Sequence, residues 1–381
     1  MADYEITTAS ALLEFDAANG RDNAASKIDD NHFINFWYGG GSFDAYAQVF
    51  EVDLGTWAIT TANSSLNFES SSNGHNKNVA IDSNHFLNIW RDTSGDGRAQ
   101  VFTVNTSTWA VTTANSSLEF DTENLREPDL VAVDDNHFIA FWGGSAGRDG
   151  YAQVLEVNTT TWAVTTAAAS LEYDTVDNTY NTACQIDTNH FVNFWNNGTD
   201  GNNNAQVFTV NTSTWVITTA NSLLAFDTGA SAQSQRCYKI DDTHIINFWA
   251  GPGNDGYAQV FDINTSTWEV TTAAASLEYD TVGSLEKTVQ QIDDNHFILF
   301  WNFGAGYCQV LEVNTSTWVI TTAAARFTFS ASASSIAMSA QKIDDSHYVN
   351  FFADSSFDGI AQVLAVELPT TASTSNFFQL F

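Results

Sequence analysis

Basic residues are scarce in this 381-residue chain, where 12 Lys and Arg stand against 45 Asp and Glu for a formal charge of −33. An excess of that size favours solubility and works against DNA, RNA and anionic membranes as general partners, without excluding a local basic patch. No apolar run approaches the length that spans a bilayer, so membrane insertion is not expected. Met1-Ala2-Asp3-Tyr4-Glu5 has no basic segment leading into an apolar one, so no secretory signal is read there. Proline is nearly absent, with three residues, and so is cysteine, also three. Cys184, Cys237 and Cys308 are odd in number and lack metal-type spacing, which argues against a zinc site or a disulfide framework. Motifs for an enzyme are missing too: there is no Gly-x-Ser-x-Gly, phosphate loop or His-Glu-x-x-His.

What the chain does have is a repeat. His32, His85, His137, His190, His244, His296 and His347 recur at spacings of 51 to 54 residues, each in a frame such as Ile28-Asp-Asp-Asn-His-Phe-Ile-Asn-Phe-Trp37. About twenty residues later comes a second block, as in Ala99-Gln-Val-Phe-Thr-Val-Asn-Thr-Ser-Thr-Trp109. A fixed period near fifty marks a solenoid or propeller. Within one copy four β-prone runs are read, for example Asn78–Asp82, His85–Trp90, Ala99–Asn105 and Trp109–Ala114, separated by Asn-, Asp- and Ser-rich turns. Seven such units without a helix pattern predict an all-β, seven-bladed β-propeller with four-stranded blades. Residues 4–9 (Tyr-Glu-Ile-Thr-Thr-Ala) match the fourth strand of a blade, and the last copy degenerates where its own should be, at Leu368-Pro369. The N-terminal strand is therefore expected to complete the last blade and close the ring. That gives a propeller over 1–367 and a C-terminal tail over 368–381.

Cys184 and Cys237 lie on equivalent segments of neighbouring repeats. Their offsets from the following Ile differ by one residue, which points them to opposite faces of their strands; buried thiols are expected.

The stretch Phe138-Ile-Ala-Phe-Trp-Gly-Gly144, with Val154-Leu-Glu-Val-Asn-Thr-Thr-Thr-Trp162 further on, resembles a kelch repeat, in which a strand ends in a glycine pair and a later hairpin carries a tryptophan. The hairpin is similar in six copies, whereas the pair recurs only at Gly39-Gly40. That family ranges from protein-binding scaffolds to a copper oxidase, so the resemblance implies no single activity. The near-identity of the copies and their Ala/Thr/Asn/Ser-rich texture also resemble virion adhesins of marine bacteriophages, which implies an extracellular or virion-associated location.

In a propeller, first–second and third–fourth turns share one face, and second–third loops share the other with the blade crossings. The first set barely changes between copies; the second differs everywhere, as in Arg91-Asp-Thr-Ser-Gly-Asp-Gly-Arg98 against Ala250-Gly-Pro-Gly-Asn-Asp-Gly-Tyr257. A recognition surface must differentiate, so the variable face is the expected binding face. All Lys and Arg are placed in its loops, the crossings or the first strands, seven of them in blades one to three (Arg21, Lys27, Lys77, Arg91, Arg98, Arg126, Arg148). The other face carries the repeated Asp turns. Arg91, Arg98, Arg126 and Arg148, with Tyr46, Tyr151, Tyr257 and Tyr307 just before the third strands, are the candidate ligand-binding residues; aromatic and Arg side chains on a rim suit sugar stacking or protein anchoring. Inward packing of the tyrosines is the structural alternative.

A residue repeated in every blade cannot mark one active site, so the seven His are read as structural, bonded to a nearby turn or blade. The Trp rows are expected to fill the space between blades, and Asn35, Asn88, Asn193, Asn247 and Asn350 to satisfy buried backbone groups. Asp92-x-Ser94-x-Asp96-Gly and Asp354-x-Ser356-x-Asp358-Gly match the start of a calcium loop but lack its closing acid, so no cofactor is expected and calcium is the one candidate. Phe377, Phe378, Leu380 and Phe381 form an apolar tail suited to docking into a partner. The expected function is non-enzymatic recognition or adhesion, binding a glycan or protein surface ligand. The alternatives are an assembly protein held by its tail, and a glycan-cleaving enzyme built from carboxylates converging above the axis.

Overall fold

Runs such as His-Phe-Ile-Asn-Phe-Trp are dense in β-branched and aromatic residues and lie between Asx turns, so each copy folds as a small antiparallel sheet. The computed structural model describes residues 4–71, 74–144, 147–228, 233–334 and 337–368. Seven sheets of five strands follow one another, with a single 3-10 turn at Pro252–Asn254 among the described residues. The seven-bladed β-propeller expected from the repeat is the observed fold.

Blade two shows the plan. Gly74–Ala80, His85–Arg91 and Gly97–Val104 pair in that order, and the outer position is shared by Val111–Thr113 and Leu118–Asp121. The expected fourth strand, Trp109–Ala114, is thus seen as Val111–Thr113, and after a break Leu118–Asp121 adds a fifth that was not expected; both pair the third. A glutamine from the third strand serves the backbone exposed by the break. Gln153 Nε2 donates to Ala168 O at 2.9 Å and Gln309 Nε2 to Ala324 O at 2.9 Å; Gln48, Gln100, Gln206 and Gln259 make the equivalent bond.

Successive side chains of a strand point to opposite faces of its blade, and a neighbouring blade covers each face. In blade one, Ile34 and Phe36 pack toward blade two, while Phe33 and Trp37 pack toward blade seven. Second strands are therefore buried almost continuously, and the core is seven such inter-blade clusters.

Glu5–Thr8 closes the ring by pairing with Gly359–Glu367, in the register Glu5↔Glu367 to Thr8↔Leu364. Tyr4 and Ile6 are buried against the sixth blade. On the other side of blade seven the seam is tight: a Cβ on Gly20 would stand 2.1 Å from the Gly359 Cα, so both glycines are needed there.

The constant face is stitched blade to blade by the histidines. His Nδ1 lies against the Asp three residues earlier, 2.9 Å away in His85–Asp82 and His190–Asp187. The same ring stacks on the hairpin Trp of the next blade: His32 on Trp109 at 3.6 Å, His137 on Trp215 at 3.4 Å, His347 on Trp57 at 3.5 Å between centroids. Blade six lacks that neighbour's Trp and uses Tyr4 instead, 4.7 Å from His296. The histidines are structural clasps.

Burial works to raise the turn carboxyl of Asp134, but hydrogen bonds from Asn136 and His137 outweigh it and hold it below the ordinary aspartate range. Asp29, Asp82, Asp187, Asp241, Asp293 and Asp344 follow suit. A depressed folded-state value adds stability above the unfolded value of 3.8 and loses it as pH falls further. Seven such sites predict a sharp loss of urea resistance below about pH 4, a loss that Asp134→Asn should reduce in steepness.

The expectation of buried thiols is corrected for two of the three cysteines. Cys184 and Cys237 form a disulfide, with Cα atoms 6.4 Å apart, while Cys308 is free and buried. The offset between them was read correctly but its consequence was reversed. Facing blades meet through opposite faces, so Cys184 on one face of blade four and Cys237 on the other face of blade five share one cluster.

Candidate functional site at the propeller axis

Six first strands carry a bulge at the same place, marked by register shifts such as Arg21/Ala24, Arg126/Asp129 and Gln233/Arg236. The bulged residues hold positive φ: Asp22 49°, His75 59°, Glu127 40°, Tyr180 55°, Ser234 49° and Glu286 20°. Bulges re-aim side chains, and these six, with Ala337 from blade seven, line one cavity of about 190 Å³ on the axis. It opens on the variable face, where the crossings enter the first strands.

The next residue along turns into the blade. Asn35 Nδ2 donates to Asn23 Oδ1 at 2.8 Å, Asn88 to Asn76 at 3.1 Å, Asn193 to Asn181 at 2.9 Å and Asn247 to Gln235 at 2.8 Å. Four of the five recurrent second-strand asparagines thus bond side-chain amides, not the backbone groups expected, and Asn350 makes neither bond among the described residues. Where the first strand has Pro128 or Lys287, the second has Ala140 or Leu299, so the partner is changed along with it. The buried Lys287 ammonium donates to the carbonyls of Ser234 at 3.0 Å and Ser284 at 2.5 Å.

One residue further, side chains face the axis again and cross to the following blade. Asp129 accepts from Ala183 N at 2.8 Å, Thr182 from Cys237 N at 3.1 Å and Ser339 from Ala25 N at 3.0 Å. Lys77 and Arg236 occupy this level and form the cationic floor of the cavity; Arg236 Nε donates to Lys287 O at 2.9 Å. Above them His75 Nδ1 stands 3.8 Å from the Glu127 carboxylate, and Asp22 Oδ2 accepts from His75 N at 3.1 Å. Burial, and then the charge of Glu127, raise the Glu286 carboxyl; burial and Arg236 lower the Lys77 ammonium.

The candidates named from sequence lie farther out. Tyr46, Tyr151 and Tyr257 lie along the second-strand Trp of their own blades, at 5.5, 5.8 and 5.8 Å, and Tyr307 lies between Trp301 and Arg326. All four pack inward and keep an exposed edge. Arg98 is engaged by Asp92 at 2.8 Å and Glu119 at 2.6 Å, and Arg148 by Asp177 at 3.0 Å. Arg91 and Arg126 are brought together: burial first, then the Arg126 charge, pull the Arg91 value down. The expected polarity needs one correction. Lys27, Lys239 and Lys342 sit at the constant-face end of their strands, donating to Ile343 O, Ile186 O and Ile292 O, so they add nothing to the variable face.

In the calcium-like loops, Asp92 Oδ1 accepts from Ser94 N and Asp96 N, and Asp354 Oδ1 from Ser356 N and Asp358 N. Among the described residues no group of three or more His, Cys, Asp or Glu is placed to hold a metal ion. Phe377, Phe378, Leu380 and Phe381 lie outside the described residues.

Sequence reasoning missed the axial cavity. Its signal was present: counted back six from the constant Ile or Val of each Asp turn, the copies read Asp22, His75, Glu127, Tyr180, Ser234, Glu286 and Ala337. His75 is also the one histidine of eight outside the repeat frame.

The chain is, by fold, a seven-bladed propeller with a polar axial cavity. Its similarity to solved structures is of that kind. The BP39L lectin of Burkholderia pseudomallei superposes with a TM-score of 0.62 at 11% identity, covering 92% of this chain and 99% of the lectin. A Bacteroides fragilis protein provisionally named a 6-phosphogluconolactonase gives 0.60 at 9%, covering 81% and 84%. Sqt1 of Saccharomyces cerevisiae gives 0.53 at 10%, covering 95% and 99%. Identities this low show the fold alone. No family model matches the chain, and no curated protein matches it by sequence.

Proposed function

We propose that this protein is a recognition propeller that binds a glycan or comparable surface ligand through its variable face. The observation that carries this is the contrast between the two ends of one strand set. The constant face repeats the same Asp–His–Trp clasp, whereas the axial position holds strained backbone constant and changes its side chain in every neighbouring blade. Strain kept while identity diverges points to use of the side chains, not to packing. Arg91 and Arg126, adjacent on the rim, supply the cationic patch for an anionic group on the ligand. The Cys184–Cys237 disulfide supports a virion or cell-surface location, since such bonds persist in oxidising surroundings.

The test is binding to a glycan array, with calcium and with chelator. Selective capture that Arg91→Glu with Arg126→Glu abolishes is the expected result. Unchanged capture by the double variant, or a blank array, sinks the acidic-glycan reading; loss in chelator alone assigns calcium to the Asp92 and Asp354 loops. The glycan-cleaving alternative keeps one supporting observation, three carboxylates lining the axial cavity, and release of reducing sugar from a captured glycan would favour it.

A further inference from the structure

The axial cavity holds charged groups that the fold leaves without close partners. Neither the Glu286 carboxyl nor the Lys77 ammonium has a hydrogen bond or ion pair among the described residues, and both side chains are half-buried in the cavity wall. Withdrawing a charge partly from water without a direct hydrogen-bond partner carries a cost, and native proteins rarely leave one so placed without compensation or a task. A buried polar group kept for packing alone would be bonded as Lys287 is, one residue along the same strand.

The chemistry of the lining narrows the ligand. Asp22, Glu127 and Glu286 ring the upper level as acceptors, and Lys77 and Arg236 form the floor as donors. Three acidic side chains over two basic ones come close to balance, so the cavity offers no strong net attraction for an ionic ligand. What it does offer is alternating acceptors and donors around a space of about 190 Å³, with the Tyr180 ring on one wall. A molecule whose every polar group both donates and accepts satisfies such a lining, and a sugar ring edged with hydroxyls is of that kind. The space is below the usual span of several hundred Å³ for larger ligands, which suits one ring and not a chain.

Resting on the recognition reading above, we propose that the axial cavity is the subsite for a single neutral pyranose residue, the tip of the recognised glycan. The carboxylates of Glu127 and Glu286 accept hydroxyl hydrogens from opposite sides, and Lys77 and Arg236 donate to the ring's oxygens from below. Arg91 and Arg126 on the rim take the anionic remainder of the chain. Seating the sugar gives Glu286 and Lys77 partners without moving the backbone, because the bulge already aims Glu286 inward and Lys77, two residues past the bulged His75, lines the same cavity.

His75 gives a direct readout, since it lines the cavity while the other seven histidines lie on the constant face. Its imidazole resonance, assigned by its loss in His75→Gln, is followed while glucose, galactose, mannose, fucose and N-acetylglucosamine are each added to the full chain. Saturable shifts with at least one sugar in the millimolar range, weakened about tenfold or more in Glu286→Gln, are expected. No shift with any of the five up to about 100 mM, or equal binding by Glu286→Gln and Glu127→Gln, overturns the subsite. The array separates this failure from that of the reading it rests on. Array capture with a silent His75 keeps the face and removes the cavity, whereas a titrating His75 with a blank array keeps the cavity and removes the extended ligand. Should Glu286→Gln fold poorly, Tyr180→Ala in the cavity wall gives the same comparison.

Discussion

A chain lacking residues 1–10 is expected to lose on the order of 5 kcal/mol of unfolding free energy, and on the order of 10 °C in Tm, while leaving six blades intact. Two buried side chains go with the segment, Tyr4 and Ile6, each contributing about 2 kcal/mol by area removed from water. The four-residue ladder to Gly359–Glu367 goes too, with the bonds Ala9 N to Val363 O at 3.0 Å and Val363 N to Ser10 Oγ at 3.1 Å. His296 loses its stacking partner, which no Trp replaces in that blade. The break in Asp16–Trp37 that a longer deletion would cause is avoided, since Trp37 Nε1 still donates to Asp16 at 2.9 Å. Hydrogen exchange should locate the damage: fast exchange spreading from Gly359–Glu367 into Ser339–Lys342, with blades two to five protected as before. The bared edge also invites pairing between chains, so the truncated protein should self-associate, and a peptide of residues 4–10 should reverse both effects. Two-state unfolding at full stability by the truncated chain would mean that the ring closes without its N-terminal strand.

Most of the fold was legible because a propeller states its plan seven times. The frame around each His and the hairpin before each Trp recur with little change, so the number of blades, the strand order and the closing segment all follow from counting. The break in the outer strand was less visible. Leu118-Glu-Phe-Asp121 and its equivalents look like the start of a crossing, and only the third strand's length shows that it has room for two partners.

The candidate site was legible in the wrong place. Loop variation is conspicuous, whereas the axial residues hide inside strands, where alternation is read as packing. Asp22, Glu127 and Glu286 sit at a bulge, and a bulge breaks the alternation that places a side chain on one face or the other. Arg98 and Arg148 drew notice by charge alone, but Asp92, Glu119 and Asp177 neutralise them locally. Pairwise electrostatics of that kind depend on loop geometry, which no repeat specifies. The disulfide shows the same limit: the one-residue offset was visible, but which faces meet is a property of the assembled ring.

Lys287→Met should change stability in opposite senses at the two ends of the pH range. Burial drives the Lys287 ammonium down from 10.5 to about 7, despite the nearby Glu286 charge that opposes the shift. A base with a lowered folded-state value binds fewer protons folded than unfolded between those two limits, so wild-type stability rises with pH there by about 1.4 kcal/mol per unit. Below pH 7 the folded protein carries the charge and bears the full cost of burying it. Across the window the gain amounts to roughly 5 kcal/mol. The methionine variant escapes that cost, but it leaves the carbonyls of Ser234 and Ser284 without their donor, at about 1–3 kcal/mol each when buried. At pH 6 relief and loss should nearly cancel or favour the variant. At pH 10 only the loss remains, and wild type should be more stable by several kcal/mol. Lys77 titrates in both proteins, and making the comparison in a Glu286→Gln background removes the charge coupled to Lys287, so the difference between the two urea curves then isolates Lys287. A difference that does not vary between pH 6 and 10 would place this lysine in contact with water, and would remove the argument that the inner strand distinguishes its bonded charge from the unbonded one beside it.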